Sequence, residues 1–167
     1  IIVMGYANPL LSYGVEKWAA DAEAAGVDGL ICVDLPPQEA MEISRILRRS
    51  SIHPIFLLAP TSTDERISLI AEHGTGMIYC VSVVGITGAR RALSSELPDF
   101  IKRVKEKTNT PLAVGFGISE PEHVASVGNI AEAAVVGSAF VGAISSAQEN
   151  DHESAAEKFI SRLVNGG

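Results

Sequence analysis

An α/β architecture built on parallel strands is predicted by three features of this 167-residue chain. Short runs rich in Val, Ile and Leu alternate with stretches of helical periodicity, six times over. The runs show little polar alternation, as strands covered on both faces do in parallel sheets. They begin at residues 1, 29, 54, 77, 111 and 133, a spacing that fits one strand, one crossover helix and two short loops.

The first run, 1–6, leads into Tyr6-Ala7-Asn8-Pro9, which reads as a strand-end loop. Val15, Trp18, Ala19 and Ala22 then share one helical face, and Gly26 supplies a stop. Run 29–34 closes on Asp34 and Leu35-Pro36-Pro37, and Ala40, Ile43 and Leu47 carry the second helix. Run 54–60 reads as one strand; Ser62 and Glu65 stand at capping-box spacing before Ile67, Ile70 and Ala71, with Gly74 as terminator. Run 77–83 passes into Val84-Gly85-Ile86-Thr87-Gly88, and Leu97, Phe100, Ile101 and Val104 define a fourth helix with Pro98 in its first turn. After run 111–117, Ser119 and Glu122 are placed to cap a fifth helix. Run 133–141 reads as the last strand, 148–153 as a mobile polar loop, and Ala155, Ala156, Phe159, Ile160 and Leu163 as one face of the last helix. With no Pro/Ser-rich linker in the series, residues 1–167 are expected to form a single domain.

Composition removes several functions. Thirteen Lys and Arg against twenty Asp and Glu leave a formal charge of −7, which disfavours phosphate-backbone binding and so nucleic acid. The apolar stretch 133–148 is broken by Gly137, Ser138, Gly142, Ser145 and Ser146 and does not read as a membrane span. Cys32 and Cys80 sit in apolar runs without ligand spacing, as small buried hydrophobes in a reducing, cytoplasmic setting. His53, His73, His123 and His152 show no paired spacing, so they read as solvated side chains and no metal site is expected. The opening apolar run has neither an initiating Met nor a basic segment before it, which reads as a piece of something longer.

In parallel α/β folds ligands bind at the carboxyl ends of the strands. Three successive strand ends there offer glycine beside a hydroxyl residue: Gly85 to Gly88 with Thr87, Gly115-Phe116-Gly117 with Ser119, and Gly137-Ser138. Glycine lets backbone N–H groups converge on one point, and a following helix N-terminus adds positive potential, so the three loops point to a phosphate dianion. Gly115-Phe116-Gly117 lacks the third glycine of a dinucleotide fingerprint. Asp34, the carboxylate at a strand terminus, reads as a loop cap or turn residue, and Tyr79 as a core ring with its hydroxyl satisfied. An open doubly wound sheet and part of a (β/α)8 barrel both remain consistent with these residues.

Met4-Gly5-Tyr6-Ala7-Asn8-Pro9, Val33-Asp34-Leu35-Pro36-Pro37, Gly85-Ile86-Thr87-Gly88, Gly115-Phe116-Gly117-Ile118-Ser119 and Val136-Gly137-Ser138 together resemble the tryptophan synthase α subunit, with wording closest to the fungal form fused to its β portion. The resemblance implies a (β/α)8 TIM barrel, here about six βα units, strands 3–8. It implies a carbon–carbon lyase of tryptophan biosynthesis, which cleaves indole-3-glycerol phosphate to indole and glyceraldehyde 3-phosphate. It places the substrate phosphate on Gly88, Gly117, Gly137 and Ser138, and the indole ring among Tyr6, Ile31, Leu57, Phe116 and Val135. Tyr79 and Thr87 would take supporting catalytic roles, while Asn8 and Pro36 would face a β subunit or fused β domain. No cofactor is implied in this domain, since pyridoxal phosphate belongs to the β partner. The family's acid–base Glu and Asp lie on and after the second barrel strand, and this chain has no counterpart to them. The isolated chain is therefore expected to be inactive and to self-associate through open barrel edges. The alternative is a non-catalytic phosphate-binding βα-barrel module.

Overall fold

A computed structural model of the chain describes residues 1–82, 95–115, 117–148 and 151–166. Thr87, Gly88, Phe116 and part of the polar 148–153 stretch lie outside these residues. The fold is α/β. Its element order is β1 (Ile2–Gly5), α1 (Ala7–Tyr13), α2 (Val15–Ala24), β2 (Gly29–Cys32), α3 (Met41–Arg49), β3 (His53–Ile55), β4 (Leu57–Leu58), α4 (Asp64–His73), β5 (Ile78–Val81), α5 (Leu97–Lys105), β6 (Leu112–Gly115), α6 (Pro121–Gly128), β7 (Ala133–Val135), α7 (Ser138–Ser145) and α8 (His152–Asn165). Strands lie in the orders β1-β2-β3 and β4-β5-β6-β7. The described residues group into two compact units: one formed by residues 1–58, 62–79 and 104–111, the other by 59–61, 80–103 and 112–167.

In the first unit β2 runs parallel to both neighbours, with Gly5 level with Cys32 and Ile31 with Ile55. One cluster packs Leu10, Val15, Ala19, Ala22, Leu30, Leu47 and Ile52 together, flanked by Val3, Trp18 and Ile43. These side chains come from the apolar faces of α1, α2 and α3 laid on β2, as the helical periodicity requires. Ile2 and Met4 of β1 remain 44% and 50% exposed. In the second unit β6 and β7 are parallel with Gly115 level with Val135, and Ser82 donates its N–H to the Gly115 carbonyl at 2.9 Å. Leu97, Phe100, Ile101, Leu112, Val114 and Val127 are buried there, and the Phe140 and Phe159 rings meet at 5.8 Å.

Several expectations are corrected. Run 54–60 is not one strand but two, His53–Ile55 and Leu57–Leu58, with Phe56 between them. Run 133–141 is strand only to Val135; from Ser138 it is the helix α7. Tyr6 to Pro9 is not a loop but the start of α1, because Pro9 falls in the first turn, where its missing N–H would have no intrahelical acceptor. Gly14, at φ +91°, then separates α1 from α2.

The caps shift as well. Thr63, not Ser62, caps α4, its hydroxyl accepting the Arg66 N–H at 3.3 Å. Glu65 does take part: its own backbone N–H, then the Thr63 hydroxyl, hold its carboxyl below the ordinary value. Glu120, not Ser119, is the N-cap of α6, with Pro121 opening the helix. His123 is not solvated. It is 9% exposed, and its Nδ1 accepts the Ser119 N–H at 3.3 Å.

Candidate ligand site at the strand ends

The β6–β7 register builds a strand-end region in the second unit. Gly115 pairs with Val135, so Gly117 and Gly137 each stand two residues beyond the last paired position of adjacent parallel strands. Neighbouring strands are spaced about 4.8 Å apart, which keeps the two exits close. Gly117 has φ +78°, a conformation that glycine adopts without a Cβ penalty. Gly137 has φ −119° and is the N-cap of α7. A Cβ added to Gly137 would meet nothing within 4 Å, so neither a positive φ nor packing calls for glycine there. The first helical bond of α7 is from the Val141 N–H to the Gly137 carbonyl, 3.1 Å. The N–H groups of Ser138, Ala139 and Phe140 precede it and belong to the orphan set of a helix N-terminus. Gly117, Gly137 and Ser138 are all exposed. Backbone donors at a helix N-terminus, with the positive end of its dipole, are chemically suited to an anion.

The first unit has a strand-end region of its own. Val33 donates its N–H to the Gly5 carbonyl at 3.0 Å, continuing the β1–β2 ladder. Tyr6, 63% exposed, is the N-cap of α1 without a side-chain cap bond. Asn8 is exposed in the first turn of that helix, and Pro36 is half-buried in the loop after β2. Asp34 accepts the Ala7 N–H, the first of α1, at 2.7 Å and the Cys32 thiol at 3.5 Å. Burial first, and this carboxylate second, push the half-buried Cys32 thiol up to about 11. Asp34, Leu35, Pro36, Leu57 and Arg66 line an open hollow of about 210 Å³. Arg66 was not singled out from the sequence. Its signal was a cation in the first turn of α4, where the helix dipole opposes positive charge.

Ile31 is buried on β2 and Leu57 half-buried on β4, both in the first unit; Val135 is half-buried at the end of β7 in the second. Tyr79, on β5, is 6% exposed, with its N–H donated to the Phe56 carbonyl at 3.0 Å. Burial raises the pKa of its hydroxyl, so the ring presents a neutral phenol at neutral pH. Among the described residues no group of three or more His, Cys, Asp and Glu could hold a metal ion. Among them, too, no helix is long and apolar enough to cross a membrane.

Known proteins resemble the chain throughout. The family model described as tryptophan synthase alpha chain matches residues 1–165. A tryptophan synthase alpha chain from Roseiflexus castenholzii is 48% identical over 99% of this chain and 63% of its own length. The tryptophan synthase of Saccharomyces cerevisiae is 41% identical over 99% of this chain but only 24% of its own. Among solved structures, a chain of the tryptophan synthase a2b2 complex from Pyrococcus furiosus superposes with a TM-score of 0.90 at 38% identity, over 99% of this chain and 66% of that one. The tryptophan synthase alpha subunit of Legionella pneumophila gives 0.84 at 36% identity, over 97% and 60%. The chain thus spans a little under two thirds of the length of these alpha chains.

Proposed function

The chain belongs to the tryptophan synthase alpha chain family, and on that premise we propose that it binds indole-3-glycerol phosphate within a lyase of tryptophan biosynthesis. That enzyme cleaves the substrate to indole and glyceraldehyde 3-phosphate. The observation that carries the reading is Gly137. It caps the exposed N-terminus of α7, where a Cβ would meet no protein atom within 4 Å and a phosphate has room to approach. Gly117, Gly137 and Ser138, with Gly88, hold the phosphate through backbone N–H groups. Tyr6, Ile31, Leu57, Phe116 and Val135 face the indole ring.

In this reading Tyr79 and Thr87 support groups that move protons, and the family's Glu and Asp that move them are not among these 167 residues. General acid–base groups contribute roughly 10²–10⁴-fold each, so the chain alone binds without turnover. Asn8 and Pro36 face a β subunit or fused β domain, which carries the pyridoxal phosphate; this domain needs no cofactor. The residues form one partial barrel domain of about six βα units. A cytoplasmic location belongs to the same reading, supported by the biosynthetic role of the family.

Calorimetric titration of the chain with glycerol 3-phosphate and with indole tests the reading, alongside an indole-release assay. Saturable binding of both without indole release is expected. Absence of binding removes the site, and family-like turnover by the pure chain removes the division of labour.

A further inference from the structure

We propose that Asp34 is a positioning residue, a remote N-cap that holds the ring-facing Tyr6 and the partner-facing Asn8 in register with Pro36. The inference rests on the reading of Tyr6, Asn8 and Pro36 given above.

Tyr6 is the N-cap residue of α1, yet its side chain makes no cap bond. The first helical N–H, that of Ala7, is satisfied instead by a carboxylate 27 residues further along the chain, Asp34 Oδ1 at 2.7 Å. The register explains the match. Gly5 is level with Cys32, and Ala7 and Asp34 lie two residues beyond each. A negative group at this end of α1 also meets the positive end of its dipole. The Cys32 thiol, 3.5 Å from the same oxygen, steadies the carboxylate from its own strand. The residues on either side of Ala7 are Tyr6 and Asn8, and two residues after Asp34 comes Pro36. One charge-assisted bond therefore ties a wall of the ring site to both partner-facing positions.

The test compares wild type, Asp34→Ala, Asp34→Asn and Thr63→Ala by calorimetric titration with indole and, separately, with inorganic phosphate. A hydrogen bond to a charged group supports about tenfold or more. Asp34→Ala should weaken indole binding by at least about that factor and leave phosphate binding unchanged. Asp34→Asn keeps an acceptor oxygen for the Ala7 N–H and should bring indole affinity back to within a few-fold. Thr63→Ala, which loses a helix cap elsewhere in the same unit, should bind indole as wild type does. Unchanged indole affinity in Asp34→Ala overturns the positioning role and leaves the functional reading standing. So does an equal loss in Asp34→Ala, Asp34→Asn and Thr63→Ala, which marks general loosening. Failure of the wild type to bind indole overturns both.

Discussion

Gly137→Ala separates stability from binding at one atom. The new Cβ meets no atom of the protein within 4 Å, so it brings no packing clash. Two backbone terms oppose each other. Alanine reduces the entropy of the unfolded chain, worth about 0.4–1 kcal/mol in favour of folding. Alanine is also a poorer N-cap than glycine, at a cost of a few tenths to about 1 kcal/mol. They cancel to within about 1 kcal/mol, which for a chain of this length moves the melting temperature by no more than about 2–4 °C. Binding has no such cancellation. In the proposed site the phosphate lies against the residue that caps α7, so a methyl at that residue takes space from the phosphate. Losing one charge-assisted bond of about 1.5–3 kcal/mol weakens phosphate roughly 10–100-fold.

The assay is calorimetric titration with glycerol 3-phosphate beside thermal unfolding by circular dichroism. Gly142→Ala is the control on the same helix. Its Cβ also meets nothing within 4 Å, and in a helix interior alanine gains about 0.8–1 kcal/mol over glycine. It should raise stability and leave phosphate affinity alone. Full phosphate affinity in Gly137→Ala would refute the argument that a ligand keeps this position a glycine.

Other consequences can be measured on the same chain. Thr63→Ala should cost about 1 kcal/mol by urea unfolding, since the Thr63 hydroxyl caps α4. Cys32, pushed up to about 11, should react with iodoacetamide near pH 8 more slowly than a free thiol, and buried Cys80, pushed up to about 12, more slowly still. Both thiols stay protonated in the folded chain at pH values where the unfolded chain releases the proton. Their contribution to stability is therefore full below about pH 9 and falls as pH rises towards 11 and 12, a decline that Cys80→Ala should flatten. With Ile1, Ile2 and Met4 at 74%, 44% and 50% exposure along β1, sedimentation of the chain should show concentration-dependent association; a monomer across a tenfold range would count against the edge argument.

What could be read from the sequence divides by the kind of force involved. The strands at 29–32, 78–81 and 112–115 were legible because Val, Ile and Leu without polar alternation mark a strand covered on both faces. Helices α2, α3 and α5 were legible from one apolar stripe each. α7 was not. Ser138-Ala139-Phe140-Val141-Gly142-Ala143-Ile144-Ser145 has no charged face, and none of its residues is buried in the described structure, so its period is invisible and it merges with the strand before it. α1 was hidden by Asn8-Pro9, a turn signal that a first helical turn also tolerates. His123 was misread because the apolar stripe of α6 was not traced: His123 stands one turn before Val127 on the buried face of that helix, where the Ser119 N–H meets its ring.

The two halves of the site differ in the same way. In the proposed site phosphate meets backbone donors, and backbone recognition leaves a local mark. Glycine marks strand exits where the backbone turns, as at Gly117 with its positive φ, or where the reading leaves room for a ligand, as at Gly137, and the β6–β7 register sets the two exits side by side. An indole wall leaves no such mark. Ile31, Leu57 and Val135 are the residue types that any parallel strand carries, and a wall of a ring pocket uses the same chemistry as a core. Only the ordered motifs of a family separate those uses, which is why the ring-facing residues came from resemblance and the phosphate donors from physics. Asp34 lies between the two cases. Its place at a strand terminus was visible, but its partner, the Ala7 N–H, belongs to a helix the sequence concealed, and the bond between them exists only once β1 and β2 are in register.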